Sequence, residues 1–441
     1  MTGFASSLRG VARRARDRAC AINAVMKSIE ISPVKAIARM RASAAKREVS
    51  ALGEASRAAS SARLRGDSWK AQANGFSAHA ATTATYDDRA PVNPFKIVDE
   101  ELRAISERMR RAVSSDIPAL STASEYFFKL GAEGKRMRPT VLLLLASAMT
   151  NGVVSNGMSQ GGWRETDHAP AHEVPGDVRR RQQRLAEIAE MIHVASLLHD
   201  DVLDNAATRR GLRALNLEVG NKLAILAGDF LLARASVTLA SLRNTEVVEL
   251  LSRVLEHLVA GEVMQMTAKP ESLSSMEHYV KKTYYKTASL IANSSKAIAL
   301  LGGHGEESAQ AAYEYGKNLG LAFQFQDDVL DFIGSDTLLG KPTLGDLKEG
   351  IATAPVLFAV EEFPELSALV ERRFKHSGDV QRAHELVKQS KGIARTRELA
   401  QQHCELAIAA IEKLPAAETA YANHCRRALK ELANLAVNRS K

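Results

Sequence analysis

Residues 186–204 read Ala186-Glu-Ile-Ala-Glu-Met-Ile-His-Val-Ala-Ser-Leu-Leu-His-Asp-Asp-Val-Leu-Asp204. Apolar residues at 188, 191, 192, 195 and 198 follow the i, i+3, i+4, i+7 rule, which predicts an amphipathic helix with one buried face. The stretch ends in carboxylates at i, i+1 and i+4, so Asp200 and Asp204 share a face and repel each other. A bridging cation removes that cost. Hard carboxylate oxygens without nitrogen or sulfur partners suit magnesium, which keeps some waters and takes phosphate oxygens as further ligands.

The same five letters return 127 residues later in Phe323-Gln-Phe-Gln-Asp-Asp-Val-Leu-Asp331, again closing an apolar helical stretch, with Asp327 and Asp331 on one face. One such motif is common on solvated helices. Two identical copies, each followed by basic residues, point to paired metal sites: Asp200, Asp201 and Asp204 in one, Asp327, Asp328 and Asp331 in the other. Cations surround both. Gly134-Lys-Arg-Met-Arg-Pro139 puts three charges before an apolar helix start, an arrangement that suits phosphate. Thr208-Arg-Arg-Gly211 follows the first cluster, Gly340-Lys341 and Lys348 follow the second, and Lys286-Thr287 lies in a helical run. His193 stands seven residues before Asp200, where ligand contact is favoured; His199 is expected to be structural, and Met264 and Met266 to be core or tunnel wall.

Most segments beyond Pro94 carry helical periodicity, and alternating strand-like runs are scarce. The expected architecture is all-α: one large bundle of roughly ten or more helices around a central cavity. Residues 151–176, rich in Gly, Ser, His and Pro, predict a surface insertion loop inside a catalytic domain over 86–441. Residues 1–85 hold 15 Lys+Arg against 5 Asp+Glu, with Phe4, Leu8, Val11 and Ala15 at helical spacing among arginines: the composition of an organellar transit peptide. The whole chain is +8, so the remainder is 8 − 10 = −2, and nothing in the body argues for nucleic acid. Cys20, Cys404 and Cys425 show no metal or redox spacing and read as plain thiols. The apolar run Val141–Ala146 is too short to span a bilayer, and no transmembrane helix is expected.

Taken together these motifs resemble the trans-isoprenyl diphosphate synthases, in particular the long-chain solanesyl and related polyprenyl diphosphate synthases, over roughly the last four-fifths of the chain. Residues 220–232, 285–290 and 390–393 share the likeness, and the end of the chain looks more like the plant mitochondrial branch than the plastid one. The resemblance implies the isoprenoid synthase fold and repeated condensation of isopentenyl diphosphate onto farnesyl or geranylgeranyl diphosphate with trans geometry. About three Mg2+ ions would be held by the six aspartates. Asp200, Asp201, Asp204, Asp327, Asp328 and Lys286 would form the catalytic set. Lys135, Arg138, His193 and Arg210 would grip isopentenyl diphosphate; Arg209, Lys286, Thr287, Gln324 and Lys341 would contact the allylic diphosphate. Ala207 stands where many members carry another aspartate.

Ala195 and Ser196 lie one turn before Asp200, where bulky residues in the family close the tunnel. Small side chains there imply a long product, about eight to ten isoprene units with nine preferred, threading its apolar chain away from water. A homodimer, peripheral membrane contact for product release and a mitochondrial address (plastid as the alternative) complete the expectation. Two other readings stay open: a class I terpene synthase, whose second metal motif normally mixes Asn, Ser or Thr with Glu, and a regulatory subunit of a heteromeric synthase, which typically loses aspartates.

Overall fold

The computed structural model describes residues 92–124, 126, 136–150, 176–209, 212–334 and 343–439. Lys135, Arg210, Lys341, the 1–85 leader and the 151–175 part of the expected insertion lie outside the described residues; Gly176 already opens a helix.

The architecture is all-helical, as expected, with one minimal strand pair. The longer helices are α1 (Asp99–Ala112), α2 (Met137–Ala148), α3 (Gly176–Leu203), α4 (Asn221–Ser241), α5 (Thr245–Thr267), α6 (Met276–Thr283), α7 (Ser289–Leu301), α8 (Glu306–Ile333), α9 (Ala354–Val360), α10 (Asp379–Gln389), α11 (Gly392–Glu412) and α12 (Ala420–Asn438). A five-residue π-helical turn, Tyr284–Ala288, joins α6 to α7 without a break. Side-chain caps set several starts: Asn244 accepts from Val247 N at 3.0 Å for α5, Ser275 from His278 N at 3.2 Å for α6, and Thr419 from Ala422 N at 3.0 Å for α12.

The periodicity of 186–199 is realised in α3, where Ile188, Met191, Ile192, Ala195 and Leu198 are all buried. This face packs against α4, α2 and α7. The other long helix, α8, lies against α7 and α11, and the fully buried Tyr315 ties it to α12 by donating to Leu429 O at 2.8 Å. Both acidic motifs therefore occupy the C-terminal ends of long central helices. Thr208–Arg209 and Leu212–Arg213 pair antiparallel just after α3 and turn the chain back toward it.

Glycines set how closely helices approach the π turn. A Cβ on Gly320 of α8 would stand 2.7 Å from Ala288 Cα, and one on Gly261 of α5 would stand 2.7 Å from Lys286 Cγ and 3.0 Å from Tyr285 Cβ. The turn is thus gripped from two sides at separations that a side chain would not permit.

One expectation narrows. Met264 is half-buried, but Met266 is 61% exposed in the last turn of α5 and is not core; residues two apart on a helix point about 200° from each other. The sequence holds no unbroken apolar run of membrane length, yet α4, with 21 residues, is long and apolar enough to cross a membrane by length and composition. Lys222, Asp229 and Arg234 interrupt it, and it packs on α3 through Ala224, Ala227, Gly228, Leu231, Ala235 and Leu239. Its outer face keeps Leu226 57% and Val237 70% exposed.

Replacing Gly320 with Ala forces α8 off a backbone atom rather than off a flexible side chain. Thermal and urea denaturation of Gly320→Ala should show a loss of about 1–3 kcal/mol, the usual cost of overpacking; an unchanged midpoint would show that α8 does not depend on this approach.

Candidate active site

The first cluster forms where α3 runs out. Its three aspartates do not act alike. Asp201, one residue on from Asp200, is turned about 100° around the helix and is fully buried. Arg209, brought back by the strand pair, donates from Nε to Asp201 Oδ1 at 2.8 Å and from Nη2 to the same oxygen. Asn216 Nδ2 donates to the Asp201 carbonyl at 3.2 Å, while Asp201 Oδ2 is buried without a hydrogen bond. Asp200 and Asp204 face the other way, half-buried and exposed respectively.

Opposite them stands the π turn. A wide turn inside a helix pushes its residues outward, and here it carries Lys286 and Thr287. Lys286 Nζ is ion-paired with Glu262 of α5, directly beside Gly261. Burial pushes the Asp200 carboxyl up from the ordinary 3.8 to about 6; the negative charges of Glu262 and Asp204 add to this, and Lys286 and Arg209 oppose it. Asp200, Asp204, Glu262 and Lys286 are thus one electrostatic neighbourhood with more negative than positive charge.

The second cluster joins through the next residue of the turn. Thr287 Oγ1 donates to Gln324 Oε1 at 3.0 Å, and Gln324 Nε2 donates to Asp328 Oδ1 at 3.0 Å. Tyr279 donates its hydroxyl to Asp328 Oδ2, and Ala354 N approaches the same oxygen at 3.4 Å. Burial raises the Asp328 carboxyl to about 6 against those hydrogen bonds and the charge of Lys282. Burial in turn lowers Lys282, which Asp328, Asp346 and Glu262 hold partly in check. Asp331 accepts from Gly345 N at 3.1 Å and Asp346 N at 3.3 Å, clamping the chain that returns after α8. Asp327 pairs with Arg439 at 2.6 Å.

Of the expected site residues, Asp200, Asp204, Lys286, Thr287, Gln324 and Asp328 are brought into one continuous arrangement, with Arg209 fixed on Asp201. Arg138 lies in the first turn of α2 and His193 two turns before Asp200 on α3; α2 and α3 pack together. His199 plays the structural part expected: its Nε2 lies 3.2 Å from Ile225 O, and its ring fills the space over Gly228. Glu262, Tyr279, Lys282 and Arg439 were not anticipated. Only Gly261 offered a signal, since a glycine inside a helical pattern often marks a close approach. A cavity of about 640 Å3 beside α8 is lined by Gln326, Arg397, Gln401 and Arg439 among others, amide and charged side chains unlike the apolar wall that an elongating chain calls for.

No three His, Cys, Asp or Glu side chains among the described residues converge as a preformed metal cage. The donor set nonetheless fits a hard divalent ion. It consists of carboxylates at the ends of two long helices with surplus negative charge, the oxygen donors that magnesium takes together with water and phosphate oxygens.

The raised carboxyls make this testable. In metal-free protein, Asp200 and Asp328 bind protons in the folded state up to about pH 6 but in the unfolded state only near 3.8. Their contribution to stability is therefore fully present below pH 3.8 and is lost as pH rises through about 6. Melting in chelator should show this slope, Asp200→Asn should flatten it, and adding Mg2+ at pH 7.5 should raise the melting temperature of the parent more than of the variant. Equal metal responses would remove Asp200 from the metal site.

The family model for polyprenyl synthetase matches residues 117–387. A mitochondrial solanesyl-diphosphate synthase 1 of Oryza sativa subsp. japonica is 51% identical over 349 residues, covering 79% of each chain. A chloroplastic/mitochondrial solanesyl diphosphate synthase 3 of Arabidopsis thaliana is 50% identical over 350 residues, covering 79% of this chain and 81% of its own. Among solved structures, a polyprenyl synthase from Caulobacter crescentus CB15 complexed with calcium and isoprenyl diphosphate aligns with TM-score 0.67 and 30% identity, over 80% of this chain and all of that one. These likenesses assign the fold: the chain belongs to the polyprenyl synthetase family and is a prenyl diphosphate synthase.

Proposed function

We propose that the chain is a mitochondrial long-chain trans-prenyltransferase that extends farnesyl or geranylgeranyl diphosphate with isopentenyl diphosphate to a product of solanesyl length, for a quinone side chain. The observation that carries this reading is the link from Asp200, through Lys286 and Glu262, to Thr287, Gln324 and Asp328. That link supports reading the two acidic clusters and the ammonium of Lys286 as one diphosphate site. The mitochondrion is the compartment shared by the names of both solanesyl relatives. The basic, acid-poor composition of residues 1–85 supports reading them as the leader.

Asp200, Asp201, Asp204, Asp327, Asp328 and Asp331 would hold about three Mg2+ ions, which supply Lewis-acid stabilisation of the leaving diphosphate. Every other part belongs to the protein. Lys286 and Thr287 present an ammonium and a hydroxyl to the allylic diphosphate. Arg209 holds Asp201 so that its neighbours face the substrate. Gln324 couples the Thr287 hydroxyl to Asp328. Lys135, Arg138, His193 and Arg210 take isopentenyl diphosphate, and Lys341 contacts the allylic diphosphate. The carbon–oxygen bond to diphosphate breaks with its electron pair on oxygen. The isopentenyl double bond attacks the allylic cation, forming the new carbon–carbon bond, and the proton lost afterwards goes to the released diphosphate. Fixed charges that meet the developing charge on oxygen are the largest lever available to such a site.

The exposed apolar face of α4, carrying Ile225, Leu226 and Val237, suits a second copy of this chain, and the proposal includes a homodimer. Peripheral contact with a membrane would serve release of an apolar product.

Incubation with isopentenyl and farnesyl diphosphates should give long polyprenyl diphosphates. Asp200→Ala or Asp327→Ala should lower turnover about 100-fold or more while the circular dichroism is kept; near-parent rates would defeat the assignment. Ala195 is buried one turn before the first cluster. Ala195→Phe should shorten the product on chromatography, and an unchanged length in a folded variant would remove Ala195 and Ser196 from chain-length control.

A further inference from the structure

The last turn of the chain lies against the second aspartate cluster. Arg439 follows α12 directly, in extended backbone (φ −68°, ψ 145°). Its guanidinium reaches Asp327 Oδ1 at 2.6 Å, donates to Phe323 O at 2.8 Å and sits 3.6 Å from the Phe323 ring centroid. Its own carbonyl accepts from Gln326 Nε2 at 3.2 Å. Phe323 and Asp327 are four residues apart on α8, so stacking and ion pair use one face of the helix.

We propose that Arg439 is a displaceable counter-ion of Asp327, which neutralises the second cluster before metal arrives and gives up the carboxylate to a divalent cation. This rests on the reading that Asp327 takes metal. Three observations support displacement over a permanent clamp. The other five aspartates are differently held: Asp201 by Arg209, Asp328 by Tyr279 and Gln324, Asp331 by two backbone N–H groups, and Asp200 and Asp204 only by the charge of Lys286 and Arg209. Asp327 is paired instead with an arginine that follows α12 in extended backbone. Second, the anchoring is incomplete, because Arg439 Nε is buried with no hydrogen-bond partner. Third, Arg439 lines the cavity of about 640 Å3 between α8, α11 and the end of α12, so the side chain can leave Asp327 without moving the core. An arginine and a divalent ion on one carboxylate compete, since each lowers the negative potential the other needs.

The test uses the full chain, stripped of metal and titrated with Mn2+ by electron paramagnetic resonance, without substrate. Arg439→Gln should bind Mn2+ about fivefold more tightly at one site, with unchanged stoichiometry, while Arg439→Lys stays closer to the parent. Melting curves in chelator check that both variants fold. Unchanged or weaker Mn2+ binding in Arg439→Gln would overturn the proposal and make Arg439 a fixed support of Asp327. Asp327→Asn separates the two levels: if it removes no Mn2+ site, the assignment of Asp327 as a ligand fails. If it removes one and Arg439→Gln still does not tighten binding, only the counter-ion proposal fails.

Discussion

Crowding carboxylates into a partly buried space is unfavourable, and the centre of this molecule is organised around that fact. Lys286 stands between Asp200, Asp204 and Glu262, and it does not neutralise them. Asp200 and Asp328 are both pushed up to about 6 by burial. The groups around Asp200 therefore carry a surplus of negative charge, an unmet demand for positive charge. Much of the surrounding fold serves to hold that demand in place: Arg209 on Asp201, Tyr279 and Gln324 on Asp328, and the backbone of residues 345 and 346 on Asp331.

The helical bundle supplies the geometry through packing distance more than through motif. Thr287 reaches Gln324 because α8 approaches the π turn at Gly320, one helical turn before Gln324. Lys286 reaches Glu262 because Gly261 leaves its stem room. A glycine in mid-helix costs about 1 kcal/mol relative to alanine. Here the space is filled by the π turn itself, Ala288 against Gly320 and the Lys286 stem against Gly261.

Much of this was legible in advance. The period of 186–199 named the buried face of α3 residue by residue, and i, i+4 spacing put Asp200 and Asp204 together. The middle aspartates were grouped with their neighbours, yet i+1 lies 100° away on a helix; the structure shows Asp201 and Asp328 buried and pinned by Arg209 and Tyr279. What the sequence hid depends on contacts between distant segments. Glu262, Tyr279, Lys282 and Arg439 sit in no repeated motif and acquire meaning only when α5, α6 and α12 are packed against the clusters. Met266 falls outside the core for a local reason: apolar character names a candidate, but rotation about the helix axis decides.

The π turn has one more implication. From Met276 to Leu301 the chain is one unbroken rod that contains one residue more than an α-helical hydrogen-bond ladder would accommodate. Deleting any one residue between Tyr284 and Ala288 would let the rod straighten and keep its composition. Because a wide turn absorbs its extra residue with little change in the direction of the helices on either side, α7 would stay on α8 and Tyr279 on Asp328, while the bulged segment that carries Lys286 and Thr287 would be drawn in. Length at this point therefore decides whether Lys286 meets Glu262 and Thr287 meets Gln324.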